Sequence, residues 1–154
     1  MSQPPAAGSD PISERELATS RVLRAPRERV FRAFSDPARL ARWWGPNGFT
    51  NAFHEFDLRP GGRWRFDMHG PDGARYPNES VFVEIAPPER VVIRHVSAPH
   101  FELRIALEER EGATTVSWRQ RFDTADECRR VARVAVQANE ENLDRLAAEV
   151  AAMT

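Results

Sequence analysis

The side chains best suited to proton transfer, metal binding or covalent chemistry in this chain are four histidines, one cysteine and a handful of carboxylates. All 22 basic residues of the 154-residue sequence are arginine. Without lysine there is no Schiff-base amine, no pyridoxal-phosphate anchor and no phosphate-loop lysine. His54, His69, His95 and His100 form no HExxH pair and join no cysteine motif, so no metal site is expected. His95 sits on an apolar strand face beside Ile93. It reads either as a polar group in a cavity wall or as a hydrogen-bonded core or rim histidine, whereas His69 and His100 fall near turns and are expected to face solvent. Cys128 excludes an intramolecular disulfide and a cysteine zinc cluster. It falls near the start of a long helix, where the dipole lowers a thiol pKa, but a buried structural cysteine is the simpler reading. No serine lies in a nucleophile elbow, and Pro60-Gly61-Gly62 is a turn rather than a phosphate-binding fingerprint. No catalytic residue and no cofactor is assigned.

The carboxylates follow strand parity. Asp67, Glu84 and Glu102 alternate with apolar neighbours, which places them on an outer face with Arg63, Arg65, Arg94 and Arg104 as ion-pair partners of small energetic weight. Glu79 shares the parity of Val81 and Val83, so it is expected to point inward at a cavity mouth with Tyr76 nearby.

These residues need a scaffold, and the periodicity supplies one. Leu17 to Leu23 carries a weak strand signal, which Ala25-Pro26 ends while opening a helix. Val30, Phe31 and Phe34 form the apolar side of that helix; Ser35-Asp36-Pro37 stops it and caps a second, carrying Leu40, Trp43 and Trp44. From Phe49 to Phe122 the period becomes two. Phe53, Phe56 and Leu58 change parity near His54-Glu55, the mark of a bulge. Then follow Trp64, Phe66 and Met68; Val81, Val83 and Ile85; Val91, Ile93 and His95; Phe101, Leu103, Ile105 and Leu107; and Val116, Trp118 and Phe122. Short links force these strands to be antiparallel, because a parallel return needs a long crossover. Ala125 to Met153 is a helix without Pro or Gly, whose apolar stripe carries Cys128, Ala132, Val136, Leu143, Leu146 and Val150, with Asn139 in its middle.

The predicted fold is therefore α+β: one strand, two short helices, six further strands and a long terminal helix under a curved sheet. Residues 1–15 are expected to be a disordered leader and 16–154 one domain. The formal net charge of -1, with both signs interspersed, leaves no footprint for nucleic acid or an anionic membrane. No secretory signal or membrane span is evident, so a soluble cytoplasmic protein is expected.

The segments Phe31 to Pro46, Phe56 to Gly73, Pro87 to Val92 and Asn142 to Ala147 resemble the SRPBCC superfamily. Within it they are similar to the branch of heat-shock-protein ATPase activator homologues, often labelled polyketide-cyclase-like. The resemblance covers about residues 16 to 152 and implies a helix-grip fold, a seven-stranded antiparallel sheet around the C-terminal helix enclosing an apolar cavity. The expected function is binding of a small hydrophobic or aromatic molecule there. The ligand-binding set is Trp43, Trp44, Phe53, Phe56, Trp64, Phe66, Met68, Tyr76, Glu79, Ile93, His95, Phe101, Trp118, Phe122, Val136, Asn139 and Leu143. The alternatives are a cyclase or aromatase using His95 or Tyr76 as acid or base, and a cochaperone-type interaction domain. A homodimer through a sheet edge or the short helices is also compatible with the pattern.

Overall fold

A computed structural model describes residues 10–153. Strand β1 (Glu16–Leu23) leads into helices α2 (Arg27–Ser35) and α3 (Pro37–Trp43). Strands β2 (Thr50–Phe56), β3 (Arg63–His69), β4 (Arg75–Ala86), β5 (Arg90–His95), β6 (Phe101–Arg110) and β7 (Ala113–Phe122) follow, and α4 (Ala125–Ala152) closes the chain. Preceding β1 is a single helical turn, α1 (Ile12–Arg15). The expected leader thus divides: residues 1–9 lie outside the described residues, while the remainder is tied down by polar bonds rather than by apolar burial. Arg15 donates to the Asp10 and Phe122 carbonyls at 2.9 and 3.0 Å, and Asp10 Oδ2 accepts from the Ala125 N–H that begins α4.

The seven strands form one antiparallel sheet in the order β1-β7-β6-β5-β4-β3-β2. The β2 to β7 run is a meander whose short turns dictate neighbour pairing. In the β2–β3 turn, a Cβ on Gly62 would run into the Asp57 carbonyl, so glycine is required. Strand β1 instead crosses to β7, pairing Glu16 with Arg121 and Leu23 with Thr114. The expected bulge in β2 is present between Phe53 and Glu55.

A second bulge, in β4 between Phe82 and Glu84, corrects the expected strand faces. Ahead of it Asn78, Ser80 and Phe82 point inward. Val83 is exposed, and the extra residue returns Ile85 to the core side. Glu79 consequently lies on the outer face with its carboxylate 3.7 Å from Arg65, and does not face the cavity. Other outer-face pairs are Glu84 with Arg90, Glu102 with Arg104, Arg94 with Asp123, and Glu16 with both Arg119 and Arg121. Asp67 is covered by His54 at 3.1 Å and Arg75 at 3.4 Å. The hydrogen bond from His54 holds its carboxyl below the usual range.

Pro26 occupies the N-cap of helix α2 in extended conformation, and the helix buries Val30, Phe31, Ala33 and Phe34. The Asp36 carboxylate caps α3 by accepting from Ala38 N–H at 3.0 Å. Helix α4 is capped by Thr124 through the Glu127 N–H and is anchored unevenly. Ala125 and Cys128 are buried at one end and Asn142, Leu143, Leu146 and Val150 at the other, while residues 129–141 contain no buried side chain. Between these anchors no apolar side chain of the helix is buried against the sheet, and the span is bridged by polar bonds from Asn139 to Gln120 and from Thr19 and Arg21 to Glu140. No described helix is long and apolar enough to cross a membrane.

Candidate ligand-binding cavity

A cavity of about 220 Å³ opens between α4 and the inner face of the sheet. Phe66 and Met68 enter from β3, Asn78 and Ser80 from β4, Ile93 and His95 from β5, Phe101 and Leu103 from β6, and Trp118 and Gln120 from β7. The segment after α3 supplies Trp44, Gly45 and Pro46, the β5–β6 link Pro99, and α4 Ala138, Asn139 and Asn142. Among the described residues, no carboxylate and no guanidinium lines it.

The candidate residues therefore separate into two groups. Trp44, Phe66, Met68, Ile93, His95, Phe101, Trp118 and Asn139 are brought together around the cavity. Phe53, Phe56 and Trp64 are instead packed solid at the β2–β3 side. Their rings stand 5.4 to 6.1 Å apart, and Trp64 lies flat between Phe66 at 4.4 Å and Phe82 at 5.9 Å. Trp43, Phe122 and Leu143 are core residues, and the Trp43 indole N–H donates to the Ala33 carbonyl at 2.8 Å. Tyr76 is exposed beside Phe49, beyond the cavity. Val136, 52% exposed, lines a separate groove with Leu17 and Thr19 of β1. Its helical periodicity gives the side of α4 that faces the sheet, but the residue falls at this outer groove rather than at the cavity. The aromatic residues thus build a solid core at one end of the sheet and a cavity wall at the other.

Several polar wall residues escape the sequence reading. Gln120 falls between Trp118 and Phe122 on the same strand face, and Asn142 lies one helical turn beyond Asn139, so alternation and periodicity both pointed to them. Asn78 and Ser80 were hidden by the assumption that Val81 and Val83 faced inward.

His95 is the most constrained polar group. Its ring stacks on Phe101 at 4.6 Å, its Nδ1 lies 2.7 Å from the Pro99 carbonyl and its Nε2 2.7 Å from Asn78 Oδ1. The Asn78 amide is oriented by donating to the Tyr76 carbonyl at 2.8 Å. Both ring nitrogens therefore face acceptors, which favours the imidazolium, yet burial dominates and lowers the pKa below the ordinary histidine value; His100 and Arg94 push the same way. A histidine with a lowered folded-state pKa binds fewer protons than it does unfolded. Its contribution to stability is complete above about pH 6.5 and is lost as pH falls towards the folded-state pKa. His95→Gln should flatten this part of the stability profile, as read by urea unfolding at a series of pH values. An unchanged slope would remove His95 as its source.

Cys128 is buried and burial pushes its thiol upward, in line with the reading of a structural cysteine. At the opposite rim, Arg145 performs a structural task that the sequence did not advertise. Its guanidinium donates to the carbonyls of Trp44, Gly45 and Pro46 at 2.9 to 3.1 Å, and to those of Arg42 and Phe49 at 2.8 and 2.9 Å. The Asn51 amide adds bonds to the Ala41 and Trp44 carbonyls. These bonds satisfy the free carbonyls at the C-terminus of α3 and fix the segment that carries Trp44, Gly45 and Pro46 against the cavity.

The family model for Activator of Hsp90 ATPase homolog 1-like protein matches residues 24–151. The chain belongs to this family. Family members fall within the SRPBCC superfamily, and the helix-grip architecture agrees with that placement. No curated protein matches the chain at a significant level. Among solved structures, a protein from Chromobacterium violaceum shares 28% identity over 86% of this chain and 95% of its own, with a TM-score of 0.76. A protein from Arthrobacter aurescens shares 20% identity over 94% and 91%, with a TM-score of 0.85. One from Rhodobacter sphaeroides shares 24% over 94% and 97%, with a TM-score of 0.82. The last two are likenesses of fold.

Proposed function

We propose that the protein binds a small, mostly apolar or aromatic molecule in the cavity between sheet and α4. The observation that carries this reading is a space of about 220 Å³ walled by Trp44, Phe66, Phe101 and Trp118 and free of charged side chains. A cavity of roughly 150 Å³ accepts benzene, so this one suits one ring or two fused rings. Burial of the rings supplies affinity at about 25 cal/mol per Å², and the amides and the hydroxyl of the wall select orientation. The residues considered for acid–base catalysis are placed otherwise: His95 has both ring nitrogens engaged, and Tyr76 lies outside the cavity.

Native mass spectrometry of the purified protein, with a titration of naphthalene followed by tryptophan emission, tests the reading. At one hundred times Kd the occupant should add about 2.7 kcal/mol of stability, which in a domain of this size raises Tm by roughly 5–10 °C. Ala138→Phe, which fills the space from α4, should abolish that shift while the unliganded protein keeps its Tm. Retention of the full shift in Ala138→Phe would place binding elsewhere.

A further inference from the structure

Beyond ring size, the wall specifies a polar edge. Asn139 Nδ2 donates to Gln120 Oε1 at 3.0 Å, fixing the two amides side by side on α4 and β7. Among the described residues, neither Gln120 Nε2 nor Asn139 Oδ1 has a partner. Turning both amides over exchanges the roles of the two residues but again leaves one donor and one acceptor open, so the conclusion does not depend on how oxygen and nitrogen are assigned. Asn142 likewise spends its Nδ2 on the Trp43 carbonyl at 3.0 Å and keeps its oxygen. Ser80, only 2% exposed, has a hydroxyl without a described partner. The Trp118 indole N–H on the same wall is buried without a described partner. An occupant that is apolar throughout and covers the amides and the hydroxyl would shut them off from water without replacing it, at a cost that a complementary occupant avoids.

Charge is excluded on the same grounds. An anion would meet no cationic side chain in the wall, and the guanidinium of Arg145 behind Gly45 and Pro46 is already committed to five carbonyls. A cation would meet no carboxylate.

We infer that the cavity takes a neutral one- or two-ring lactam, a planar molecule whose adjacent N–H and C=O pair with the open acceptor and donor of Asn139 and Gln120. This inference rests on the cavity-binding reading and narrows it to a ligand class. A lactam presents donor and acceptor on one edge in the plane of the ring, so both amides are satisfied while the ring faces meet the aromatic wall.

Four probes of similar size separate the possibilities, with affinity read by tryptophan emission and Tm. These are carbostyril, a neutral bicyclic lactam; N-methylcarbostyril, which lacks the donor; naphthalene, which lacks both groups; and naphthoate, which is anionic. Carbostyril is expected to bind at least about tenfold more tightly than each of the others. Gln120→Leu should bring carbostyril down to the affinity of naphthalene without weakening naphthalene. Equal binding of the three neutral probes by the wild-type protein would overturn the lactam inference and leave the apolar-cavity reading standing, as would tightest binding of naphthoate for the ligand class. If none of the four alters emission or Tm, both fall together. The wild-type comparison decides the matter even if Gln120→Leu does not fold.

Discussion

Trp43→Ala should cost about 3–5 kcal/mol of unfolding free energy, the range for deleting a large buried aromatic side chain. Trp43 is 1% exposed, packs edge-on against Phe34 at 4.9 Å and touches Trp44 and Trp118 with ring centroids at 5.5 and 6.4 Å. It joins α3 to α2 through its indole hydrogen bond and to α4 through the Asn142 bond to its carbonyl. Truncation removes packing in all these directions and leaves the Ala33 carbonyl without its donor. For a domain of this length the loss corresponds to a fall in Tm of roughly 10 °C or more. Trp44→Ala should cost markedly less, since one side of Trp44 already borders empty space. Urea unfolding of the two variants in parallel makes the comparison, and equal losses would show that the cavity side of Trp44 is packed as tightly as the core.

Arg145→Met is expected to lower stability by about 3 kcal/mol while retaining most of the aliphatic stem. Hydrogen bonds to a charged donor are each worth about 1.5–3 kcal/mol when broken singly, but five sharing one guanidinium do not add, and the freed carbonyls near the surface regain water. Arg145→Lys should recover less than half of the loss. An ammonium is a point donor with three N–H groups, whereas the observed bonds fan across a planar fork to carbonyls from Arg42 to Phe49. The readout specific to this role is amide exchange: residues 44–49 should lose protection in both variants while β5 to β7 keep theirs. Uniform loss across the sheet would mean that Arg145 supports global stability rather than this segment.

The limits of sequence reading in this protein have identifiable causes. The succession of strands along the chain, the short helices and the bulge in β2 were legible, the bulge because Phe53 and Phe56 break parity openly. The bulge in β4 was concealed because Val81, Val83 and Ile85 alternate without a break, and side-chain type alone does not reveal that the strand turns over between Phe82 and Glu84. That single error placed Glu79 inside and overlooked Asn78 and Ser80. Asn139 was legible as a polar interruption of an apolar stripe, whereas Val136 was misplaced because periodicity reports direction and says nothing of distance. The clasp made by Arg145 left no signal in the sequence, since a guanidinium that binds carbonyls looks like any other helix arginine.

The crossing of β1 to β7 has a kinetic consequence. Glu16 and Arg121 are 105 positions apart. Bringing such a pair together costs about 4 kcal/mol of loop-closure entropy if the intervening chain is flexible, and far less once the β2 to β7 meander has already shortened the path. Assembly is therefore expected to run through the hairpins first, with β1 joining last and completing the sheet edge against which α4 rests. Substitutions in the β1–β7 ladder should accelerate unfolding far more than they slow folding, whereas those in the β6–β7 hairpin should do the reverse.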